Sequence, residues 1–357
     1  MAKAAALTPF DDEELDRTIA GLQSLAGSTG DKVDWQALRA LYQDTAHKNY
    51  KDWATTEVDA ASLQAIVSDP SDAAFKAIFS RVLDDGNFGA AAAAADVRST
   101  KPWICLVSGL NGIRKTTSVH QPWFQSCLAQ ALAGQSYEGP TADLPNGKNA
   151  FFRQLDYMLT TLAIVDFEAL FEIADVGSYA EVKAGIFARY RTAAEMLGVL
   201  LVKAAQKRRS NIMVETSGRD IGMYTYVDHL FPDDAYNKLV CHFSINDIAF
   251  AERSVDTRML NEMADGRAAL AAQPTAGLNA IIRANAGGPY GSQVLQGIKA
   301  DSDAVWAKLR SGEAGGVAGS WFKASIAIEA RDDADWTARA VVNGEPSGDV
   351  FTFQRLG

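Results

Sequence analysis

The spacing of apolar residues changes twice along the chain. Over residues 8–85 they recur every three or four positions, which predicts amphipathic helices. Thr8 and Pro9 read as an N-cap and first-turn pair. Leu15, Ile19 and Leu22 follow at helical spacing, and Gly27 stops the run. DWQALRALYQDTAHKNY and DAAFKAIFSRVLDDG repeat this style, so residues 1–95 are expected to form a helical subdomain. GNFGAAAAAADVRSTKP, with six alanines (Ala90–Ala95) between glycine and Ser/Thr/Pro, reads as a linker at the domain boundary.

From Trp103 short apolar runs alternate with long amphipathic ones. WICLVS, NIMVE, KLVCHFSI and LNAIIRAN read as strands. TTSVHQPWFQSCLAQALAG reads as mostly helix. Residues 179–208 read as one long helix with Val182, Ile186, Phe187, Tyr190, Ala194, Leu197 and Leu201 on one side. Strands separated by helices imply right-handed crossovers and a mostly parallel sheet, here over residues 96–320. WFKASIAIEA, WTARAVV and DVFTFQRL then alternate with period two, which predicts a small antiparallel β segment over residues 321–357, at the sheet edge or as an appendage. The expected fold is therefore α/β.

Composition narrows the function classes. At 357 residues, 48% hydrophobic and 22% charged, the chain suits a soluble globular protein. Its net charge of −10 disfavours phosphate backbones and anionic lipid surfaces as general partners, so neither nucleic acid nor membrane is expected. No stretch nears the roughly 18 apolar residues of a membrane helix. The opening MAKAAALTPFDDEELDR turns acidic too soon for a signal or transit peptide, which predicts a cytoplasmic protein. Cys105, Cys127 and Cys241 offer neither a disulfide framework nor CxxC spacing, and are expected to be buried free thiols. His47, His120, His229 and His242 form no metal-ligand cluster.

The strongest chemical signal follows WICLVS. Gly109-Leu110-Asn111-Gly112-Ile113-Arg114-Lys115-Thr116, with Thr117 behind it, is a near match to the phosphate loop G-x-x-x-x-G-K-[ST]. In that loop backbone N–H groups wrap phosphate oxygens, the lysine reaches the outer phosphates and the hydroxyl binds Mg²⁺. Arg114 stands where the last glycine belongs. It either adds phosphate contacts or blocks the pocket. Arg-Lys is an unfavourable pair for a helix start with no anion bound. The expected cofactors are ATP, or another nucleoside triphosphate, and Mg²⁺ on Thr116.

Phosphoryl transfer also calls for a carboxylate near the acceptor hydroxyl. Asp156 qualifies if AFFRQLD is a strand, and Asp166, with Glu168 beside it, if LAIVDFE is. The same stretch also fits one helix through Phe152, Leu155, Leu159, Leu162 and Val165. NIMVE runs into Glu215-Thr216-Ser217-Gly218-Arg219-Asp220, a polar cluster where open α/β sheets bind ligands. Glu215, Thr216, Ser217, Arg219 and Asp220 are its candidate substrate-binding residues. Arg253 and Arg258, on the helix after KLVCHFSI, suit a lid over a transferring phosphoryl group or are solvated charges beside Glu252 and Asp256. Gly287, Gly288 and Gly291 around Pro289 form a rigid turn that touches the nucleotide base or only connects.

In this order the pieces resemble the zeta-toxin branch of the P-loop kinases over roughly residues 103–285. Lys115 and Thr116, Asp156 or Asp166, the long helix, Glu215-Thr216-Ser217, the strand 238–245 and Arg253 or Arg258 carry the resemblance. Arg114 departs from the family's glycine, and the gap from Lys115 to either acid is longer. The resemblance implies a P-loop core and an ATP-dependent phosphotransferase. It does not carry over the family's UDP-sugar substrate. The expected acceptor is a small hydroxyl-bearing metabolite. The alternative is a non-catalytic nucleotide sensor or assembly module on the same fold, and a nucleic-acid 5′-kinase is disfavoured by the acidic balance.

Overall fold

The structure is a computed structural model that describes residues 8–331 and 334–353, without the side chains of residues 273–276. Residues 1–7, on which part of the leader reading rests, and the Gln354-Arg355-Leu356 end of the last predicted run lie outside the described residues. The elements are α1 (Asp12–Ala26), α2 (Trp35–Thr45), α3 (Trp53–Val67), α4 (Ala73–Asp85), α5 (Phe88–Asp96), β1 (Trp103–Gly109), α6 (Lys115–Val119) and α7 (Phe124–Ala131). They continue with β2 (Ala150–Arg153), α8 (Leu155–Leu162), α9 (Ile164–Phe171), α10 (Val176–Arg189), α11 (Arg191–Lys207), β3 (Asn211–Glu215), α12 (Gly222–Leu230) and β4 (Asn237–Ile245). Then come α13 (Ile248–Ala276), α14 (Leu278–Ala284), α15 (Leu295–Ser311), β5 (Phe322–Glu329), β6 (Thr337–Val342) and β7 (Glu345–Thr352).

The chain divides into two compact units, neither continuous in sequence. The first takes the described residues up to 86, with 154–204 and 258–289. The second takes 87–153, 205–257 and the described residues from 290 onward.

The first unit is helical. Asp11, not Thr8, caps α1: its carboxylate accepts from the Glu14 N–H while the Glu14 side chain accepts from the Asp11 N–H. Leu15, Ile19 and Leu22 are buried and turn α1 toward α4, α8, α9 and α14. LAIVDFE is helix rather than strand, split between α8 and α9, which bury Leu159, Leu162, Ile164 and Phe167 at helical spacing. The single long helix expected over 179–208 is two, α10 and α11, broken at Tyr190. That residue's hydroxyl is held by Asp166 (2.6 Å) and Thr18 (3.2 Å), which fixes the chain there off the helical path. The buried stripe of α10 is Tyr179, Lys183 and Phe187, while Val182 is exposed.

LNAIIRAN is also helix, α14, and not a strand. Leu278, Ile281 and Ile282 sit at i, i+3 and i+4, and α8 and α9 receive them, so a short apolar run that fits either period resolves as helix. Lys183, Glu262 and Asn285 form a buried polar knot in this unit. Lys183 Nζ donates to Glu262 Oε1 (2.5 Å), Asn285 Oδ1 (2.9 Å) and the Gly287 carbonyl (2.7 Å).

The second unit is a seven-stranded sheet in the order β2-β3-β1-β4-β5-β6-β7. The first five strands are parallel, and β6 and β7 close the sheet antiparallel. The fold class is thus α/β with a mostly parallel mixed sheet. β5 departs from the expected meander: it pairs parallel to β4, from Leu239↔Phe322 to Ile245↔Ile328. α15 precedes it, with Leu295, Ile298, Ser302, Trp306 and Leu309 buried along one face. The alanine-rich linker is α5. Alanine is the best helix former, and Phe88, Ala91, Ala92 and Ala95 are buried, with Phe88 edge-on to Phe151 of β2. Asn87, left-handed at φ 56°, starts α5 and donates Nδ2 to the Gly147, Lys148 and Ala150 carbonyls. Among the described residues no helix is long and apolar enough to cross a membrane.

Candidate functional site

Every position of β1 is buried, and β1 lies between β3 and β4. The chain leaves β1 toward β2 on one side and leaves β4 toward β5 on the other. The carboxyl ends of β1 and β4 therefore meet at a topological switch point, where open parallel sheets leave a ligand crevice. The loop 110–114 hangs there.

Packing holds the loop's shape. Gly109 has φ +127°, and a Cβ on it would stand 2.3 Å from the Phe243 carbonyl oxygen. Gly112 has φ +83°, and its Cβ would stand 2.7 Å from the Ala251 carbonyl oxygen. Ile113 anchors the loop in the core at 0% exposure, while Asn111 and Thr117 are half-buried. Arg114 adopts φ 60°, ψ 35°, the left-handed conformation that the missing glycine would take without strain. For an L-residue this costs about 1–2 kcal/mol. Its guanidinium lies over the Trp336 ring, 5.1 Å from the centroid. With the guanidinium exposed and the ring buried, this cation–π contact contributes about 0.5–2 kcal/mol.

Lys115 and Thr116 converge on one carboxylate. Lys115, with 2% of its side chain exposed, donates Nζ to the Leu110 carbonyl (2.9 Å) and lies 3.1 Å from Glu215 Oε1. Thr116 Oγ1 donates to Glu215 Oε2 at 2.7 Å. Glu215 reaches them because β3 pairs with β1 in register Val107↔Glu215, and the Thr216 N–H extends that ladder to the Val107 carbonyl. Glu215, read from sequence as a substrate contact, thus stands beside the expected metal hydroxyl. Thr116 and Glu215 are hard oxygen donors of the kind Mg²⁺ takes alongside substrate phosphates and water, so this pair fits the ion. No group of three or more His, Cys, Asp or Glu side chains with metal-site geometry occurs among the described residues.

The rest of the polar cluster makes its own local contacts. Thr216 Oγ1 accepts from the Gly218 N–H (3.1 Å), and Ser217 is half-buried. Arg219 stacks over Tyr290 and donates to its hydroxyl (2.9 Å). Asp220 accepts from the Gly222 N–H as α12 begins.

Of the remaining expected residues, one belongs to the second unit and three to the first. Arg253 is exposed on α13, over Phe250 and 3.9 Å from Asp247. Arg258 belongs to the first unit and donates to the Gly288 carbonyl (3.2 Å). Five residues apart, the two arginines project about 140° from each other around the helix and do not act as a pair. Asp156, in the first turn of α8, is in the first unit and adds negative charge near Lys183. Asp166 is there too, bonded to Tyr190 and 3.4 Å from Arg17, where it ties α9 to α1.

Three participants were not legible in the sequence. Ser108, one residue before Gly109, shares a 3.0 Å hydrogen bond with His242 Nδ1 and another with Tyr224. His242 stacks on Trp306 at 4.8 Å, and burial lowers its pKa from 6.5 to about 4, so the ring is neutral. His242, Ser244, Ser325, Trp306 and Arg310 line a cavity of about 580 Å³ beside α15. Trp336 is the third, brought to the loop by the strand order. Comparison with protein-family models, curated proteins and solved structures found no match to this chain.

Proposed function

We propose that the second unit is a nucleoside-triphosphate-binding phosphotransferase with a P-loop core, acting on a small hydroxyl-bearing acceptor. The observation that carries this reading is the convergence of Lys115, Thr116 and Glu215 at the carboxyl end of a central parallel strand. A turn that only connects strand to helix has no need of a buried lysine, a hydroxyl and a carboxylate at its mouth.

In this reading the loop amides and Lys115 hold the β- and γ-phosphates. Lys115 exchanges its contact with Glu215 for one with phosphate oxygen. Mg²⁺, bound with the nucleotide, would neutralise phosphate charge, with Thr116 and Glu215 as its protein donors. Thr216, Ser217 and Arg219 line the approach of the acceptor hydroxyl. Phosphoryl transfer asks for positioning and charge stabilisation more than covalent chemistry, and these side chains supply both.

A second reading has its own support. Glu215 already satisfies Lys115 and Thr116, so the loop is complete without a ligand. That suits a protein in which the fold persists as a non-catalytic sensor or assembly module.

Isothermal titration of Mg·ATP and Mg·GTP into wild-type protein and Lys115→Ala tests both. Binding that vanishes in a variant of unchanged far-UV circular dichroism supports a working phosphate loop. A folded wild type that binds neither nucleotide refutes it and leaves, of the second reading, only the assembly module.

A further inference from the structure

We propose that Arg114 is a phosphate-operated latch. In the structure its guanidinium rests on Trp336. When polyphosphate fills the loop the guanidinium leaves the ring and pairs with phosphate oxygen. This rests on the nucleotide-binding reading and adds a residue whose conformation depends on occupancy.

The contacts within the loop do not account for an arginine at this position. The left-handed backbone of Arg114 is strained for any residue with a Cβ, and glycine would relieve it. Against this stands one cation–π contact between the exposed guanidinium and the buried Trp336 ring, which is of comparable size. Among the described residues the exposed guanidinium has no carboxylate or carbonyl partner for its five N–H donors. A contact available only with ligand bound would fill the gap. A guanidinium pairs with phosphate through parallel charge-assisted hydrogen bonds, which are stronger than its contact with the face of one ring.

The surroundings favour such a shift. Phe250 packs edge-on to Trp336 at 4.4 Å, and Arg253 covers Phe250 at 5.4 Å. Arg114, Trp336, Phe250 and Arg253 thus form a row of two rings with a cation at each end. Trp336 is held from behind by Phe353, whose N–H donates to the Trp336 carbonyl. The ring stays in place when Arg114 departs, and its exposure to a nearby cation changes.

Inorganic tripolyphosphate with Mg²⁺, titrated into wild type, Arg114→Gly, Arg114→Lys and Trp336→Phe, tests the latch by calorimetry and indole fluorescence. The wild type should bind with a change in fluorescence. Trp336→Phe should bind with that change lost. Arg114→Gly should bind roughly ten- to a hundred-fold more weakly, and Arg114→Lys should recover part of the loss. The Arg114 side-chain Nε resonance, assigned by its absence from the Arg114→Lys spectrum, should shift on saturation. It also serves if Trp336→Phe fails to fold. Equal or tighter binding by Arg114→Gly, or an unmoved Arg114 resonance at saturation, overturns the latch while leaving nucleotide binding intact. A wild type that binds neither tripolyphosphate nor Mg·ATP removes the nucleotide-binding reading itself, and the latch with it.

Discussion

Acid should destabilise this protein partly through one imidazole. His242 is 4% exposed, stacked on Trp306 and hydrogen-bonded through Nδ1 to Ser108. Burial lowers its pKa from 6.5 to about 4. Between those values the unfolded chain binds a proton that the native ring refuses, so stability rises with pH across this window. Above pH 6.5 the effect is absent. At pH 5 it costs about 2 kcal/mol, and below pH 4 about 3 kcal/mol, at 1.36 kcal/mol per pH unit. Urea unfolding followed by tryptophan fluorescence at pH 7 and pH 5 would measure it, in wild type and His242→Gln. Carboxylates such as Glu14 and Asp233, whose native pKa values lie below their ordinary range, contribute stability that is lost as pH falls. They do so equally in both proteins and cancel in the comparison. His242→Gln should be less stable at pH 7, because the stack on Trp306 is lost, yet should lose about 2 kcal/mol less than wild type between pH 7 and pH 5. Identical losses would refute the reasoning.

Three other perturbations follow from the packing. Gly112→Ala adds a Cβ 2.7 Å from the Ala251 carbonyl oxygen at φ +83°, and strain plus overpacking should cost about 2–5 kcal/mol in urea unfolding. Burial pushes the Cys127 thiol up to about 12 and raises those of Cys105 and Cys241 as well, so a disulfide reagent should label no cysteine in the native state and three in urea. Glu262→Gln should cost about 3–5 kcal/mol by leaving the Lys183 charge buried without its counter-ion, and Glu262→Leu combined with Lys183→Met should recover most of that.

What the sequence made legible was local. β1, β3 and β4 are short, mostly buried runs followed closely by polar or glycine-containing turns, and the spacing from Gly109 to Thr116 places a loop at the end of β1. Gly27 marked a helix end. What was hidden depended on partners far away in the chain. LNAIIRAN fits both periods until α8 and α9 receive it. The alanines of α5 look like linker until Phe151 gives Phe88 a neighbour. The break at Tyr190 needs Asp166 and Thr18. α15 does carry a helical stripe from Leu295 to Leu309, a signal that period counting could have found. Within the site, residue types flagged Glu215 as functional, but only the parallel register with Val107 sets it against Thr116. Nothing near Arg114 in sequence points to Trp336.

The two rims of the sheet bear on how this protein behaves in a crowd of its own copies. A bare strand edge is a template onto which another chain can crystallise its backbone, the first step toward fibres. At one rim Asn87 spends its amide on the carbonyls around β2, and α5 packs against that strand. At the other, β7 begins Glu345-Pro346, where proline has no N–H to offer, and carries Asp349 and a register irregularity opposite Ala338 and Ala340. Each border is spoiled by a different device, so both rims discourage a neighbouring molecule from continuing the ladder.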